Sequence, residues 1–250
     1  MVARDDGSLA IYDHSLEEVD LLAAHDDIVS SLALDSGEDP QFMCSGGWDE
    51  AVVLWDLYML DQPLSVIESA HVGPVLDVAF AQDIHIFVSI GHDGFVRMWD
   101  SRSGSDAVTI INCGQRGSSV EFAESTLITG LVDGRMGCYD LRKTVSPVFE
   151  FNFNERIRRV KVVERSPSLI GVTTNRDYSL VSLDSVGITI RKRYFCRMIL
   201  CARFLMKWLR ESQEDFMNDL TIVKSSVDRL PMVVFGGMDG KLRCSECSNC

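Results

Sequence analysis

The sequence predicts an all-β chain built as a β-propeller of four-stranded blades, and three observations carry that prediction. First, one string keeps returning: "GHDGFVRMWD" at 91–100, "WDEAVVLWD" at 48–56, "DDGSLAIYD" at 5–13 and "VDGRMGCYD" at 132–140, with weaker copies "RDYSLVSLD" at 176–184 and "MDGKLRCSE" at 238–246. The closing acids Asp13, Asp56, Asp100, Asp140, Asp184 and Glu246 are spaced by 43, 44, 40, 44 and 62 residues, a period that belongs to repeat architectures. Second, apolar and polar residues alternate at the strand period within each repeat. Third, the joints between the runs are turn residues such as "GHDG".

The unit Pro63–Asp100 is the clearest. "PLSVIES" is strand-like, "AHVGPV" turns the chain, "VLDVAF" alternates, "IFVSI" is an apolar run, "GHDG" turns again and "FVRMW" alternates. That makes four short strands per period, joined by tight turns. A lone four-stranded sheet cannot bury both faces, so such units pack side by side around a ring. We name the strands of each blade a to d, counted from the strand that follows the "AH" turn.

Four residues recur at fixed offsets: Asp49, His25, Ser45 and Trp55 in one blade, and Asp93, His71, Ser89 and Trp99 in the next. Each Ser lies four residues before its Asp and each Trp six after. This pattern resembles the structural tetrad of the WD-repeat family, with Asp in the b–c turn, His in the d–a turn, a hydroxyl on strand b and Trp on strand c. The resemblance implies a structural role: a half-buried Asp in a tight turn needs donors, which imidazole and hydroxyl supply. Later blades depart from the pattern. Thr129, Asp133 and Tyr139 keep three members without a His, Thr173 and Asp177 keep two, and the last blade has Asp239 with Phe235 and Ser245 in the Ser and Trp positions.

The chain reads as one propeller domain over 1–250, with an interruption. It opens near a b–c turn and stops at the end of a strand c, giving about six blades, two of them partial, as in a truncated seven-bladed ring. The last spacing exceeds an ordinary period by about 18 residues. That excess falls in "RKRYFCRMILCARFLMKWLRES" at 191–212, an atypical insert that reads either as a basic amphipathic helix or as an irregular loop. The motif "CSECSNC" places Cys244, Cys247 and Cys250 at metal-ligand spacing, but lacks a fourth ligand and a second pair, so no metal is expected.

Composition narrows the function. A formal charge of −13 disfavours a nucleic-acid partner, because phosphate contact needs a basic footprint. It suits basic protein partners instead. The first ten residues lack a signal-peptide core, and Arg197, Arg203 and Lys207 interrupt the longest apolar stretch, so neither secretion nor a membrane span is expected. Eight cysteines without a secretion signal fit a reducing compartment, cytoplasmic or nuclear. No phosphate-binding glycine loop, nucleophile elbow or His-Glu-x-x-His motif occurs, so the expectation is a scaffold rather than an enzyme, with no cofactor.

Among WD-repeat proteins, "HDDIVSSLAL" with "SGGWDEAVVLWDL", "SAHVGPVLDVAF" with "VSIGHDGFVRMWDSR", and "EDFMNDLTIVKSSVDRLPMVVFGGMDGKLR" are similar to the methylosome branch. That resemblance implies a protein arginine methyltransferase as partner and basic substrates such as histones or Sm proteins. The residues just before the tetrad Asp, Trp48, His92 and Arg176, are the candidate contacts, and Trp48 stands first because an exposed Trp beside a polar turn anchors interfaces. The tetrapeptides "WDSR" and "YDLR" resemble instead the docking motif of cullin–RING ligase substrate receptors, in which Arg102 and Arg142 would make the contact. A generic cytosolic WD-repeat scaffold is the remaining alternative.

Overall fold

The computed structural model describes residues 1–12, 17–37, 39–123, 125–142, 146–165, 168–175, 177–184, 187–195, 217–223, 232–237 and 242–246. Every element among them is a β-strand. They form six antiparallel sheets in chain order. The first holds β1 (Val2–Ala3), β2 (Ser8–Tyr12) and β3 (Glu18–Ala23). Four complete sheets follow: β4 (Val29–Leu34) to β7 (Ser65–Ile67), β8 (Val75–Phe80) to β11 (Thr109–Asn112), β12 (Gly117–Ala123) to β15 (Phe149–Asn152), and β16 (Ile157–Arg165) to β19 (Gly187–Phe195). The last holds β20 (Met217–Val223), β21 (Met232–Gly237) and β22 (Leu242–Glu246). The strands between these are β5 (Phe42–Gly47), β6 (Val52–Asp56), β9 (Ile86–Gly91), β10 (Phe95–Asp100), β13 (Thr126–Leu131), β14 (Arg135–Asp140), β17 (Ser168–Thr174) and β18 (Asp177–Asp184).

Each complete sheet is a meander whose first strand, a, lies beside strand a of the next sheet: β4 by β8, β8 by β12, β12 by β16 and β16 by β20. The a strands therefore line the centre and the d strands the outside, as in a propeller. Exposure follows this placement, since β5 is buried along its whole length while Leu64, Val66, Val108 and Ile110 on or beside the d strands are exposed. Burial between blades drives the stacking. One apolar cluster joins Leu9 to Val29, Met43 and Trp55; the next joins Cys44, Val52 and Leu54 to Val75, Val78 and Phe87. A third joins Val88 and Ile90 to Val120 and Leu127, and a fourth joins Ile128 and Met136 to Ile157, Ile170 and Val181.

β19 continues to Phe195, so residues 191–195, assigned to the insert on spacing, belong to the fourth strand of their blade: Lys192, Arg193, Tyr194 and Phe195 pair with β18, and Arg191 lies at a register shift. The remainder of the insert, 196–212, lies outside the described residues, as do Asp13, Arg176, Asp239, Cys247 and Cys250. No helix among the described residues is long and apolar enough to cross a membrane.

Candidate interaction face

The tetrad residues come together in both of the clear blades. His25 Nδ1 lies 2.9 Å and 3.0 Å from the two carboxylate oxygens of Asp49, and its Nε2 lies 2.8 Å from Ser45 Oγ. The Trp55 indole donates to that same hydroxyl oxygen at 3.2 Å. In the next blade His71 Nδ1 meets Asp93 at 2.9 Å, Nε2 meets Ser89 Oγ at 2.8 Å, and Trp99 Nε1 donates to Ser89 Oγ at 2.9 Å. Burial pushes the His71 imidazole below its ordinary range, outweighing the opposing pull of Asp93. The neutral ring therefore donates through Nδ1–H to Asp93 and accepts through Nε2 from Ser89, so the chain runs Trp to Ser to His to Asp with every polar atom satisfied. Burial alone would raise the Asp93 carboxyl, but hydrogen bonds from His71 and Arg97 hold it down at about 2.

The third blade fills the His position with Cys113, which lies four residues before the start of strand a, as His25 and His71 do. Tyr139 Oη lies 3.8 Å from Cys113 Sγ, while Asp133 turns to Arg135 at 2.6 Å. Burial holds the Cys113 thiol above its ordinary range, so it stays a protonated, weakly polar plug.

The fourth complete blade corrects the sequence reading. There the b–c turn is one residue shorter, because Thr173 pairs with Tyr178 where Gly46 pairs with Val52. Counting back from Asp177 therefore lands one residue off. Val172 takes the hydroxyl position, since it pairs with Val160 as Ser45 pairs with Leu32, and Thr173 points to the other face, where its hydroxyl accepts from Arg159 N–H at 3.0 Å. Phe153 occupies the His position and Val181 the Trp position. Phe153, Val172 and Val181 are all buried in one apolar cluster. Replacing every member of a buried hydrogen-bonded set by apolar groups avoids the penalty of leaving one partner orphaned.

One backbone bond holds the d–a loops in place regardless of these side chains. His25, His71, Cys113 and Phe153 each donate their N–H to the carbonyl of Gly7, Glu50, Gly94 and Gly134, respectively. All four acceptors have positive φ, 84°, 70°, 79° and 92°. Glu50 is the non-glycine among them, and its carboxylate accepts the Gly73 N–H at 3.0 Å.

A β-bulge recurs at the start of strand a in five sheets, between Val29/Ser31, Val75/Asp77, Gly117/Ser119, Ile157/Arg159 and Met217/Asp219. Bulges re-aim side chains, and here they gather Ser31, Asp77, Ser119 and Arg159. Asp77 is 3% exposed. Its carboxylate accepts from Ser31 Oγ at 2.6 Å, Ser119 Oγ at 2.7 Å, Val120 N–H at 3.0 Å and Arg159 Nη1 at 2.5 Å. Burial pushes the Asp77 carboxyl up, but Arg159, Lys161 and the two hydroxyls more than offset this and hold it below the ordinary carboxylate range. One carboxylate thus ties together strand a of four consecutive blades. Sequence reading passed over it because "VLDVAF" shows Asp77 only as the polar member of an alternation; the shared offset of two residues from each strand start is the signal that locates it.

The b–c turns and d–a loops lie at one end of the strands. There Trp48 N–H bonds Ile28 O, His92 bonds Pro74 O, Val132 bonds Arg116 O and Asn175 bonds Arg156 O, all within 2.9–3.2 Å. Asn175, rather than the predicted Arg176, is therefore the structural equivalent of Trp48 and His92. Trp48 is 45% exposed and His92 is exposed as well. Arg102 and Arg142 follow the c strands β10 and β14 and so lie at the opposite end. Arg102 is chelated by its neighbour Asp100, Nε to Oδ1 at 2.8 Å and Nη2 to Oδ2 at 2.7 Å. Arg142 is exposed, its N–H bonded to Asp140 at 2.9 Å. The same end holds a funnel of about 930 Å³ bordered by Leu34, Pro40, Phe80, Phe122 and the Lys161–Glu121 ion pair.

Residues 16–56 and 62–100 match the family described as "WD domain, G-beta repeat". The chain is 26% identical over 178 residues, 67% of its length and 42% of the relative's, to histone acetyltransferase type B subunit 2 of Candida glabrata. It is 35% identical over 122 residues, 45% of its length and 34% of the relative's, to methylosome protein WDR77 of Xenopus laevis. It is 28% identical over 99 residues, 39% of its length and 27% of the relative's, to mRNA export factor of Xenopus tropicalis. The chain spans less than half the length of these relatives. A chain of the solved mitotic checkpoint complex superposes with a TM-score of 0.76 at 17% identity, covering 99% of this chain and 72% of that one, which is a likeness of fold. The chain accordingly carries WD repeats at 16–56 and 62–100 within an all-β, propeller-type fold of four-stranded blades.

Proposed function

We propose that this chain is a non-catalytic scaffold of the methylosome type, which holds a protein arginine methyltransferase and presents basic protein substrates, in the cytoplasm and nucleus. The observation that carries this reading is Trp48. A large aromatic side chain stands 45% exposed on the b–c turn face, next to a tetrad whose polar groups are spent on one another. Exposed Trp residues of this kind are over-represented as interface anchors. The 35% identity to a methylosome protein supports the partner class, and the net charge of −13 supports basic substrates through electrostatic attraction. The alternative of a ligase substrate receptor needs Arg102 free to meet an adaptor, yet Asp100 already engages it in two hydrogen bonds.

The test is affinity purification of the chain from its native cells with quantitation of methyltransferase in the eluate, for the natural sequence and for Trp48→Ala. Stoichiometric enzyme with the natural chain and at least a tenfold loss with the variant is expected, a loss of about 1.4 kcal/mol or more. A cullin-ligase adaptor in place of the enzyme, or undiminished recovery with Trp48→Ala, overturns the reading. Trp48→Ala is expected to leave unfolding free energy within about 0.5 kcal/mol, because the ring is a surface group.

A further inference from the structure

Positive charge is concentrated at the Trp48-side end of the a strands. A pocket of about 180 Å³ is lined there by Leu76, Gly117, Ser118, Arg156, Arg158 and Arg159. The bulges just described place Leu76, Ser118 and Arg158 as the extra residues of their strands and turn the chain at this end. The pocket therefore holds three guanidinium groups, those of Arg156, Arg158 and Arg159.

These arginines differ in how they are spent. Arg159 is committed to Asp77. Arg158 donates through Nε to Asn175 Oδ1 at 2.8 Å, a neutral acceptor. Arg156 Nε is buried and has no hydrogen-bond partner. The nearest acid in sequence, Glu155, accepts from the Thr174 hydroxyl at 3.2 Å. Burial, and then the like charge of Arg156, push the Arg158 guanidinium below its ordinary range. Buried donors without acceptors and adjoining like charges both cost free energy. Both costs vanish when an anion with several acceptor oxygens enters.

We propose that this pocket is a binding site for the phosphate group of a phosphorylated peptide segment, held by Arg156 and Arg158. Guanidinium forks match phosphate oxygens in paired, charge-assisted hydrogen bonds, and a phosphomonoester carries about two charges where a single carboxylate carries one. A peptide fits better than a nucleic acid. The whole chain carries a net charge of −13, so an extended polyanion meets overall repulsion, whereas one phosphate on a short segment meets chiefly the pocket. This site is independent of the methyltransferase reading and shares only its face.

The probe is a fluorescein-labelled peptide with one phosphoserine flanked by glycine and neutral serine, compared by fluorescence anisotropy with its unphosphorylated form and with a single-stranded oligonucleotide of twenty thymidines. At least tenfold tighter binding of the phosphopeptide than of either comparison is expected, with displacement by inorganic phosphate. Arg156→Ala combined with Arg158→Ala is expected to lower the phosphopeptide affinity at least tenfold. Because that pair of changes also alters packing beside Ile157, the single variant Arg158→Gln is run alongside, with an expected loss of threefold or more, and far-ultraviolet circular dichroism establishes that each variant is folded. Equal affinity for the two peptides, tighter binding of the oligonucleotide, or unchanged affinity in a folded Arg156→Ala, Arg158→Ala variant overturns the proposal.

Discussion

Replacing Asp77 by alanine tests whether the central carboxylate holds the blades together. In the native chain Asp77 receives four donors from two neighbouring blades and one beyond: Ser31 on β4, Ser119 and Val120 on β12, and Arg159 on β16. Its side chain is 4% exposed and that of Arg159 is 15% exposed. Removing the carboxylate breaks the ion pair to a mostly buried guanidinium, and breaking a buried pair from one side costs about 3–5 kcal/mol. Ser31 and Ser119 also lose their acceptors, although Ser119 Oγ retains the Val160 carbonyl at 3.4 Å. The gain from relieving Asp77's own desolvation acts in the opposite direction, so a net loss of about 3 kcal/mol is expected. The assay is equilibrium urea unfolding of the natural chain, Asp77→Ala, Arg159→Leu and the double variant, with the midpoint and slope of each. If the two residues act as a pair, the double variant is less destabilised than the sum of the singles by at least about 1 kcal/mol. A loss below about 1 kcal/mol for Asp77→Ala, or strict additivity in the cycle, would refute the argument.

Three further outcomes follow from the same geometry. Gly94→Ala and Gly134→Ala are each expected to cost about 2 kcal/mol or more in thermal unfolding, because both glycines have positive φ and the added Cβ would lie 2.9 Å from Gln115 O and 2.6 Å from Glu155 O; Glu50→Gly, at the equivalent position, is expected to change stability by less than about 1 kcal/mol, since relief of backbone strain is set against the lost bond to Gly73. Phe153→His restores a tetrad residue to a blade whose other positions are Val172 and Val181, so the imidazole finds no partner and stability falls by about 2 kcal/mol or more; a variant as stable as the natural chain would mean that Val172 does not hold the hydroxyl position. The depressed His71 sets a pH dependence: the unfolded chain takes up a proton near the ordinary imidazole value while the folded ring resists it, so stability is full above about pH 6.5 and declines as pH falls below it. A second decline comes between about pH 4 and about pH 2, as the Asp93 carboxylate, depressed to about 2, is protonated. His71→Gln is expected to flatten the first decline in chemical-denaturation midpoints measured from pH 5 to 8.

The sequence by itself determined the blade. A period of 40–44 residues, strand-period alternation and the offsets of Ser, Asp and Trp are local, and each is satisfied within one four-stranded sheet. For that reason His25, Ser45, Asp49 and Trp55 could be grouped before their contacts were seen, and so could His71, Ser89, Asp93 and Trp99. Local spacing failed where a single turn residue was lost: the shortened turn before Tyr178 moved Thr173 off its face and left Val172 in its place. It also assigned Arg191 to Phe195 to an insert, because pairing with β18 is invisible to a count of residues between acids.

What only the tertiary structure decided lies between blades. Asp77 draws on residues 46 positions before it and 82 after it, and no periodic pattern within a blade marks that meeting. The pocket that sets Arg156 and Arg158 against Leu76 and Ser118 likewise arises from strand starts about 40 residues apart that the side-by-side packing of the a strands brings to one end. Side-chain period fixes which face of a strand is buried, but the radial packing of one sheet on the next fixes which polar groups meet in the centre, where low solvent access makes each pairing count.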